Sequence, residues 1–255
     1  MNTNNWAESF PVPLVHLKET DSTLNYLRSL CQSEHPEELT TVVTDYQTAG
    51  RGQRGNTWES ESGKNLLLSF VMYPDFIKAK EQFVLSQLVA LTIKEALDCY
   101  TEGIRIKWPN DIYWKTRKLG GILIENDLQD NAVGTCFVGF GLNVNQQSFA
   151  GDAPNPVSLR QITGKETDPL NLAACIMNRF RTGYEALREG NRKELATRYE
   201  KALFRREGMH CYCDRNGMFR ARITKVEPCG ALVLTDEQGT ERSYLFKEVE
   251  YVLED

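Results

Sequence analysis

The sequence predicts an α+β protein, a mixed sheet with helices followed by a small C-terminal β-barrel. Three observations carry this reading. Four stretches repeat apolar residues at helical spacing, near 22–33, 79–100, 169–188 and 191–204. Short alternating strands joined by tight turns fill the centre of the chain and, after Arg205, its end. The glycine-rich stretch at 50–58 lies between two strands instead of opening a helix, which argues against a Rossmann unit.

Asp21 or Thr20 can cap the first helix, over about Ser22 to Ser33, with Leu24, Leu27 and Leu30 at helical spacing. Strands are expected at 40–47 and 65–73. The longest helical pattern, Ala79 to Tyr100, carries Phe83, Leu88, Leu91 and Leu97 on its apolar face, and Gly103 ends it. Ile104 to Trp108 alternates like a half-buried strand, Pro109-Asn110-Asp111 turns, and Ile112 to Trp114 resumes. Leu119 to Glu125 and Thr135 to Gly141 follow with the Asp130-Asn131 turn between them, so the sheet is antiparallel or mixed. Polar residues 146–160, broken by Gly151, Pro154 and Pro156, form a loop before the last two helices. Beyond Arg205, turn signals at Asp214-Arg215-Asn216-Gly217, Pro228-Cys229-Gly230 and Asp236-Glu237-Gln238-Gly239 divide about fifty residues into short strands. The expected domains are 1–204 and 205–255.

A chain of 255 residues, 41% apolar, can bury a real core. Its net charge of -5 does not favour nucleic acid as the principal ligand. The longest apolar runs are about strand length, short of the ~20 residues that span a membrane. Met1 to Trp6 lacks the basic and apolar regions of a signal peptide. Seven cysteines at scattered spacing indicate a reduced, cytoplasmic protein without structural disulfides. Cys31, Cys99, Cys136 and Cys175 fall in apolar patterns and are expected to be buried. Cys211 and Cys213 share a strand face, but two further metal ligands at sensible spacing are missing.

Four segments carry chemistry. Residues 50–58, Gly-Arg-Gly-Gln-Arg-Gly-Asn-Thr-Trp, hold three glycines, two arginines and a tryptophan, a set suited to wrapping an anion. Lys107-Trp108-Pro109-Asn110-Asp111 reads two ways: an ordinary turn, or a lysine for phosphates with Asn110 and Asp111 for a hydrated magnesium. Arg117-Lys118-Leu119-Gly120-Gly121-Ile122 is either a charged hairpin tip or a lysine aimed into a pocket that the glycines keep open. Gly139-Phe140-Gly141-Leu142-Asn143 lets a ligand approach the strand, with Asn143 as a polar contact, or is simply a bulged strand. His16, His35 and His210 lie outside these segments, so anion stabilisation and positioning are expected rather than histidine acid–base work.

Taken in order, the four segments resemble the catalytic domain of biotin protein ligases, over roughly residues 14–190. Gly-Arg-Gly-x-Arg-Gly-x-x-Trp, Lys-Trp-Pro-Asn-Asp, Lys-Leu-x-Gly-Ile and Gly-x-Gly-x-Asn carry the resemblance, and Asp21-Ser22-Thr23 adds a fifth piece. It implies a class II aminoacyl-tRNA synthetase-like catalytic domain with an SH3-like C-terminal barrel. The implied reaction has two steps: biotin and magnesium-ATP give biotinoyl-5′-AMP and pyrophosphate, and a lysine of a biotin carboxyl carrier domain then takes the biotinoyl group.

The resemblance also implies residue roles. Lys118 and Arg51 would act at the reacting centre, Lys118 on the carboxyl oxygen and Arg51 between carboxylate and phosphate. Ser22, Thr23 and Gln47 would hydrogen-bond the ureido ring. Gly50, Gly52 and Gln53 would contact biotin from the loop, and Gly121 and Leu123 would line its floor. Trp58 would cover the ligand, while Arg54, Lys107, Asn110 and Asn143 would meet ATP or the adenylate. Asn110 and Asp111 would hold magnesium. Loop 146–160 would close over the adenine. The glycine-rich loop, mobile when empty, would order over the intermediate and exclude water.

Two positions depart from the family pattern: Gln53 stands where Arg or Lys is common, and Leu24 where Asn is common, with Asn25 one later. On a helix that step is ~100° of rotation, so no ligand contact transfers to Asn25. The pattern begins by about residue 14, leaving no room in this sequence for the DNA-binding domain of repressor members; no DNA or membrane partner is expected, and pairing through the catalytic sheet is compatible. A lipoate–protein ligase of the same fold is the rival enzyme, distinguished by a tunnel without ureido partners. A non-catalytic adaptor using the barrel is the rival from another class.

Overall fold

The computed structural model describes residues 10–151 and 155–252, together with the backbone but not the side chain of Arg54. The Met1–Trp6 stretch and Pro154 lie outside the described residues.

The central strand is legible from composition. β3 (Leu66–Met72) is buried at all seven positions, which suits a strand covered on both faces. Around it are β1 (Leu14–Thr20), β2 (Thr41–Gln47), β4 (Ile104–Lys107), β5 (Asp111–Trp114), β6 (Arg117–Gln129) and β7 (Ala132–Leu142). They pair in the order β1-β2-β3-β7-β6-β5-β4. Only β1 and β2 run parallel, joined by helix α1 (Thr23–Ser33); the other neighbours are antiparallel, so the sheet is mixed.

The two-residue period of a strand sorts the core into faces. Leu66, Leu68, Phe70 and Met72 enter the main core with α2 (Phe83–Leu97) and α4 (Pro169–Arg188), where Phe180 meets Phe70 at 4.7 Å. Val71 points the other way, into a small cluster under α1 with Leu24, Leu27, Val42 and Phe137. The long helical pattern from Ala79 divides into a 3-10 turn, Ala79–Glu81, and α2. Short α3 (Leu159–Thr163) opens on a Ser158–Gln161 capping box inside the predicted loop, and α5 (Arg192–Ala202) completes the helices.

The break predicted at residue 205 falls between α5 and β8. Strands β8 (His210–Asp214), β9 (Gly217–Val226), β10 (Leu232–Asp236), β11 (Glu241–Tyr244) and β12 (Val249–Tyr251) form an antiparallel sheet in the order β11-β10-β9-β8-β12. Its outer strands β11 and β12 do not pair with each other, so the ladder is open where a closed barrel was expected. This sheet shares the main core, and Trp108 Nε1 donates to Gly230 O at 2.9 Å. Of the four cysteines expected to be buried, only Cys136 is; Cys31 and Cys175 are half-buried and Cys99 is exposed, and all seven are free. Among the described residues no helix is long and apolar enough to cross a membrane.

Candidate active site

Register builds the site on the α1 face of the sheet. Directly paired residues on neighbouring strands point to the same side. Val71, Phe137 and Glu125 form one row across β3, β7 and β6; Ser69, Gly139 and Leu123 form the next. A third row runs Leu67, Gly141, Gly121, Asp111, Lys107 over five strands. Strict alternation along β6 would turn Lys118 away from Gly121. The register shift beside Ile112 leaves Leu119 as an extra residue, and Lys118 faces Tyr113, beside Asp111. The bulge sends Leu119 into the core, fully buried, and re-aims Lys118 to the site.

The cavity on this face has a volume of about 600 Å³. Ser22, Thr23 and Gln47 form one wall, Gly121 and Leu123 the floor, and Lys107, Asn110, Asp111 and Lys118 the far side. Arg51, Gly52, Gln53 and Trp58 reach it from the loop.

That loop is a small closed hairpin. Trp58 N donates to Gly50 O at 2.9 Å and Gly52 N to Asn56 O at 2.7 Å, around a 3-10 turn at Gln53–Gly55. Gly50 does not line the cavity; a Cβ there would lie 2.3 Å from Trp58 O, so its role is to let the hairpin close. The Trp58 indole rests on the sheet, where a Cβ on Gly141 would come within 2.4 Å of it and one on Gly121 within 3.2 Å. These glycines therefore make room for the indole. Gly120 instead makes room for Leu142. The Gln53 Oε1 and Trp58 Nε1 atoms are buried without hydrogen-bond partners.

The α1 wall is polar by construction. Ser22 is the N-cap of α1, 2% exposed, yet makes no capping bond. Gln47 Oε1 does that work, accepting from Thr23 N at 2.9 Å and Thr23 Oγ1 at 3.1 Å. Thr23 Oγ1 also meets Ser69 Oγ at 2.7 Å. With its oxygen engaged, Gln47 offers Nε2 donors, beside the uncommitted Ser22 hydroxyl.

Three of the cations that line the cavity, Lys118, Arg51 and Lys107, differ in their partners. Lys118 Nζ lies 2.8 Å from Asp111 Oδ1. Arg51 Nη2 lies 2.5 Å from Glu125 Oε1, and its Nη1 donates to Asn25 Oδ1 at 3.0 Å. Lys107 Nζ donates to Tyr113 OH at 3.1 Å and sits 5.3 Å from the Tyr251 ring centroid, with no ion pair among the described residues. Burial, partly offset by Asp111, holds the Lys107 ammonium below the usual lysine range. Asn110 ties its turn to β6 through Nδ2 to Ile122 O at 2.7 Å. Asn143 lines an adjoining cavity of about 550 Å³, and its Nδ2 donates to Val157 O at 3.2 Å, bracing the 155–157 segment that pairs with Lys118.

Residues 17–143 match the biotin/lipoate A/B protein ligase family. The bifunctional ligase/repressor BirA of Bacillus subtilis is 30% identical over 240 residues, covering 91% of this chain and 72% of that protein. The biotin–[acetyl-CoA-carboxylase] ligase of Paracoccus denitrificans is 30% identical over 213 residues, covering 78% and 85%. The chain belongs to the biotin/lipoate A/B protein ligase family.

Among solved ligase structures, the biotin protein ligase of Aquifex aeolicus in complex with biotin and ATP superposes with a TM-score of 0.76, at 27% identity, over 94% of this chain and 99% of that one. The family match spans all seven strands of the main sheet except the start of β1. Sequence reasoning missed two contributions to this ligase-family site. Ser69 was hidden in an apolar strand, although a lone serine in Leu66–Met72 is itself a signal. Phe246, Lys247, Glu250 and Tyr251 also line the cavity from the C-terminal sheet, for which no local motif existed.

Proposed function

We propose that this chain is an ATP-dependent biotin–protein ligase, forming biotinoyl-5′-AMP and passing biotin to a lysine of a biotin carboxyl carrier domain. The observation that carries the reading is one cavity that joins a ureido-matched polar wall, Ser22, Thr23 and Gln47, to the cations Arg51, Lys107 and Lys118. Two anions, a carboxylate and a triphosphate, must approach each other in step one. Such a reaction is accelerated by fixed positive donors and by orientation.

The biotin carboxylate attacks the α-phosphate and pyrophosphate leaves. Lys118 hydrogen-bonds the carboxyl oxygen, and Arg51 bridges carboxylate and phosphate. Lys107 serves the phosphates, Arg54 the adenylate, and Asn143 acts through the loop it braces. Gly52, Gln53, Gly121, Leu123 and Trp58 enclose the biotin body. In step two the carrier lysine attacks the acyl carbon, AMP leaves, and Lys118 stabilises the developing oxyanion. Asn110 and Asp111 bring an amide and a carboxylate oxygen to the cavity, the hard donors magnesium takes, so they would hold the ion that screens the phosphates. We assign catalysis to residues 1–204 and an SH3-like fold to 205–255. The free cysteines suit a cytoplasmic setting.

The test is incubation with magnesium-ATP, labelled biotin or lipoate, and a carrier domain. Biotin-dependent pyrophosphate release and labelling of one carrier lysine are expected. Absence of both from folded protein overturns the reading, and labelling with lipoate alone transfers it to the sister activity.

A further inference from the structure

Arg51 sits at the cavity mouth on a loop rich in glycine, where an arginine side chain has much rotamer freedom to lose on binding an anion. The structure surrounds it with fixed partners. Glu125, in the outermost of the three rows, accepts Arg51 Nη2 on Oε1 and Arg28 Nε on Oε2, the latter at 2.8 Å. Arg28 belongs to α1, lies 4.2 Å above the Phe137 ring, and reaches Asp127 at 3.3 Å. Asn25, one turn ahead of Ser29 on the same helix, accepts Arg51 Nη1 on Oδ1. Its Nδ2 is spent on Asp21 Oδ2 at 2.7 Å, so the amide is held with its oxygen toward Arg51. Arg51 is 39% exposed, and Glu125 24%.

We infer that Asn25 and Glu125 are positioning residues for Arg51, with Arg28 anchoring Glu125. This rests on the assignment of Arg51 to the substrate carboxylate and phosphate. Two acceptors on separate Nη atoms fix the guanidinium plane. They consume two of its five N–H donors and leave three for an anion. Arg28 pairs with both Glu125 and Asp127, so the carboxylate that orients Arg51 is itself held by a second cation. Asn25 thereby acquires a role in this chain that is not a ligand contact: it reaches the site through Arg51.

A double-mutant cycle tests this. Glu125→Ala is expected to raise the biotin KM about tenfold or more, and Asn25→Ala about threefold, with Glu125→Gln, which keeps an acceptor, close to wild type. In an Arg51→Ala background neither alanine substitution is expected to cost anything further. Equal losses in both backgrounds would show a structural role and overturn the inference. A second readout needs no activity: limited tryptic cleavage after Arg51 in ligand-free protein is expected to run several-fold faster in Glu125→Ala than in wild type. Unchanged cleavage overturns the inference even if biotin ligation is intact. Wild-type protein that lacks biotin-dependent turnover but shows the cleavage difference would overturn the ligase reading and leave the positioning intact. Should Glu125→Ala not fold, Asn25→Ala carries both measurements.

Discussion

Lys118 Nζ rests 2.8 Å from Asp111 Oδ1, so the lysine assigned to both half-reactions is held by a carboxylate across the bulge at Leu119. Lys118→Ala removes the cation and strands Asp111, whose side chain is 18% exposed. Biotin-dependent pyrophosphate release is expected to fall by about 10²–10³, and transfer from supplied biotinoyl-AMP to fall with it. Thermal unfolding is expected to register a loss of about 1–3 kcal/mol from the unpaired carboxylate. Pairing Lys118→Met with Asp111→Asn is expected to recover stability but not turnover. Near-normal adenylation and transfer by Lys118→Ala would remove its assigned role.

Gly141 and Gly121 face each other across β7 and β6 beneath the Trp58 indole. A Cβ at Gly141 would come within 2.4 Å of the ring, and one at Gly121 within 3.2 Å. Gly141→Ala must displace the indole, whereas Gly121→Ala asks for a shift of a few tenths of an ångström. Activity is therefore expected to fall more than about tenfold for Gly141→Ala and less for Gly121→Ala. Trp58→Ala is expected to relieve the stability cost of Gly141→Ala. Steady-state kinetics and melting curves on the three variants check the ranking, and the reverse order would contradict this packing.

Most of the fold was legible because hydrophobic period and turn residues are local signals. β3 and α4 announce themselves as an apolar run and an amphipathic repeat, and their observed bounds lie within a residue or two of those expected. The site was legible as motifs but not as an arrangement. Strict alternation gives the wrong face for Lys118, since the bulge depends on how β6 pairs with β5. Asn110 and Asn143 read as ligand contacts, yet their amide donors hold Ile122 O and Val157 O. Tyr251 and Lys247 enter the cavity from the C-terminal sheet, which is tied to the main domain by contacts such as Trp108 to Gly230, 122 residues apart in sequence. Long-range packing of that kind leaves no periodic trace.

Gln53 gives a prediction particular to this chain. Its Oε1 is buried without a partner beside the cavity, where a guanidinium would bring charge to the adenylate phosphate. The neutral amide is expected to let biotinoyl-AMP escape faster than Gln53→Arg does, by about tenfold. Release of adenylate into a trap, with no carrier present, measures it directly. Equal release rates would show that retention depends on the rest of the loop.

Lys107 sets a pH dependence. Its ammonium is desolvated between Tyr113 and Tyr251, which holds its pKa below the usual 10.5. Below that lowered value the lysine is charged and available to the triphosphate. As pH rises through it the charge is lost, sooner than a surface lysine would lose it. The ATP KM at saturating biotin is therefore expected to climb on an alkaline limb that begins short of the ordinary lysine range. In Lys107→Arg the guanidinium stays protonated, so that limb is expected to move to higher pH even if the absolute KM is worse. Tyr251→Leu removes one aromatic face and is expected to raise the ATP KM severalfold while sparing the biotin KM. An alkaline limb unmoved by Lys107→Arg would assign the titration to another group and take Lys107 out of phosphate binding.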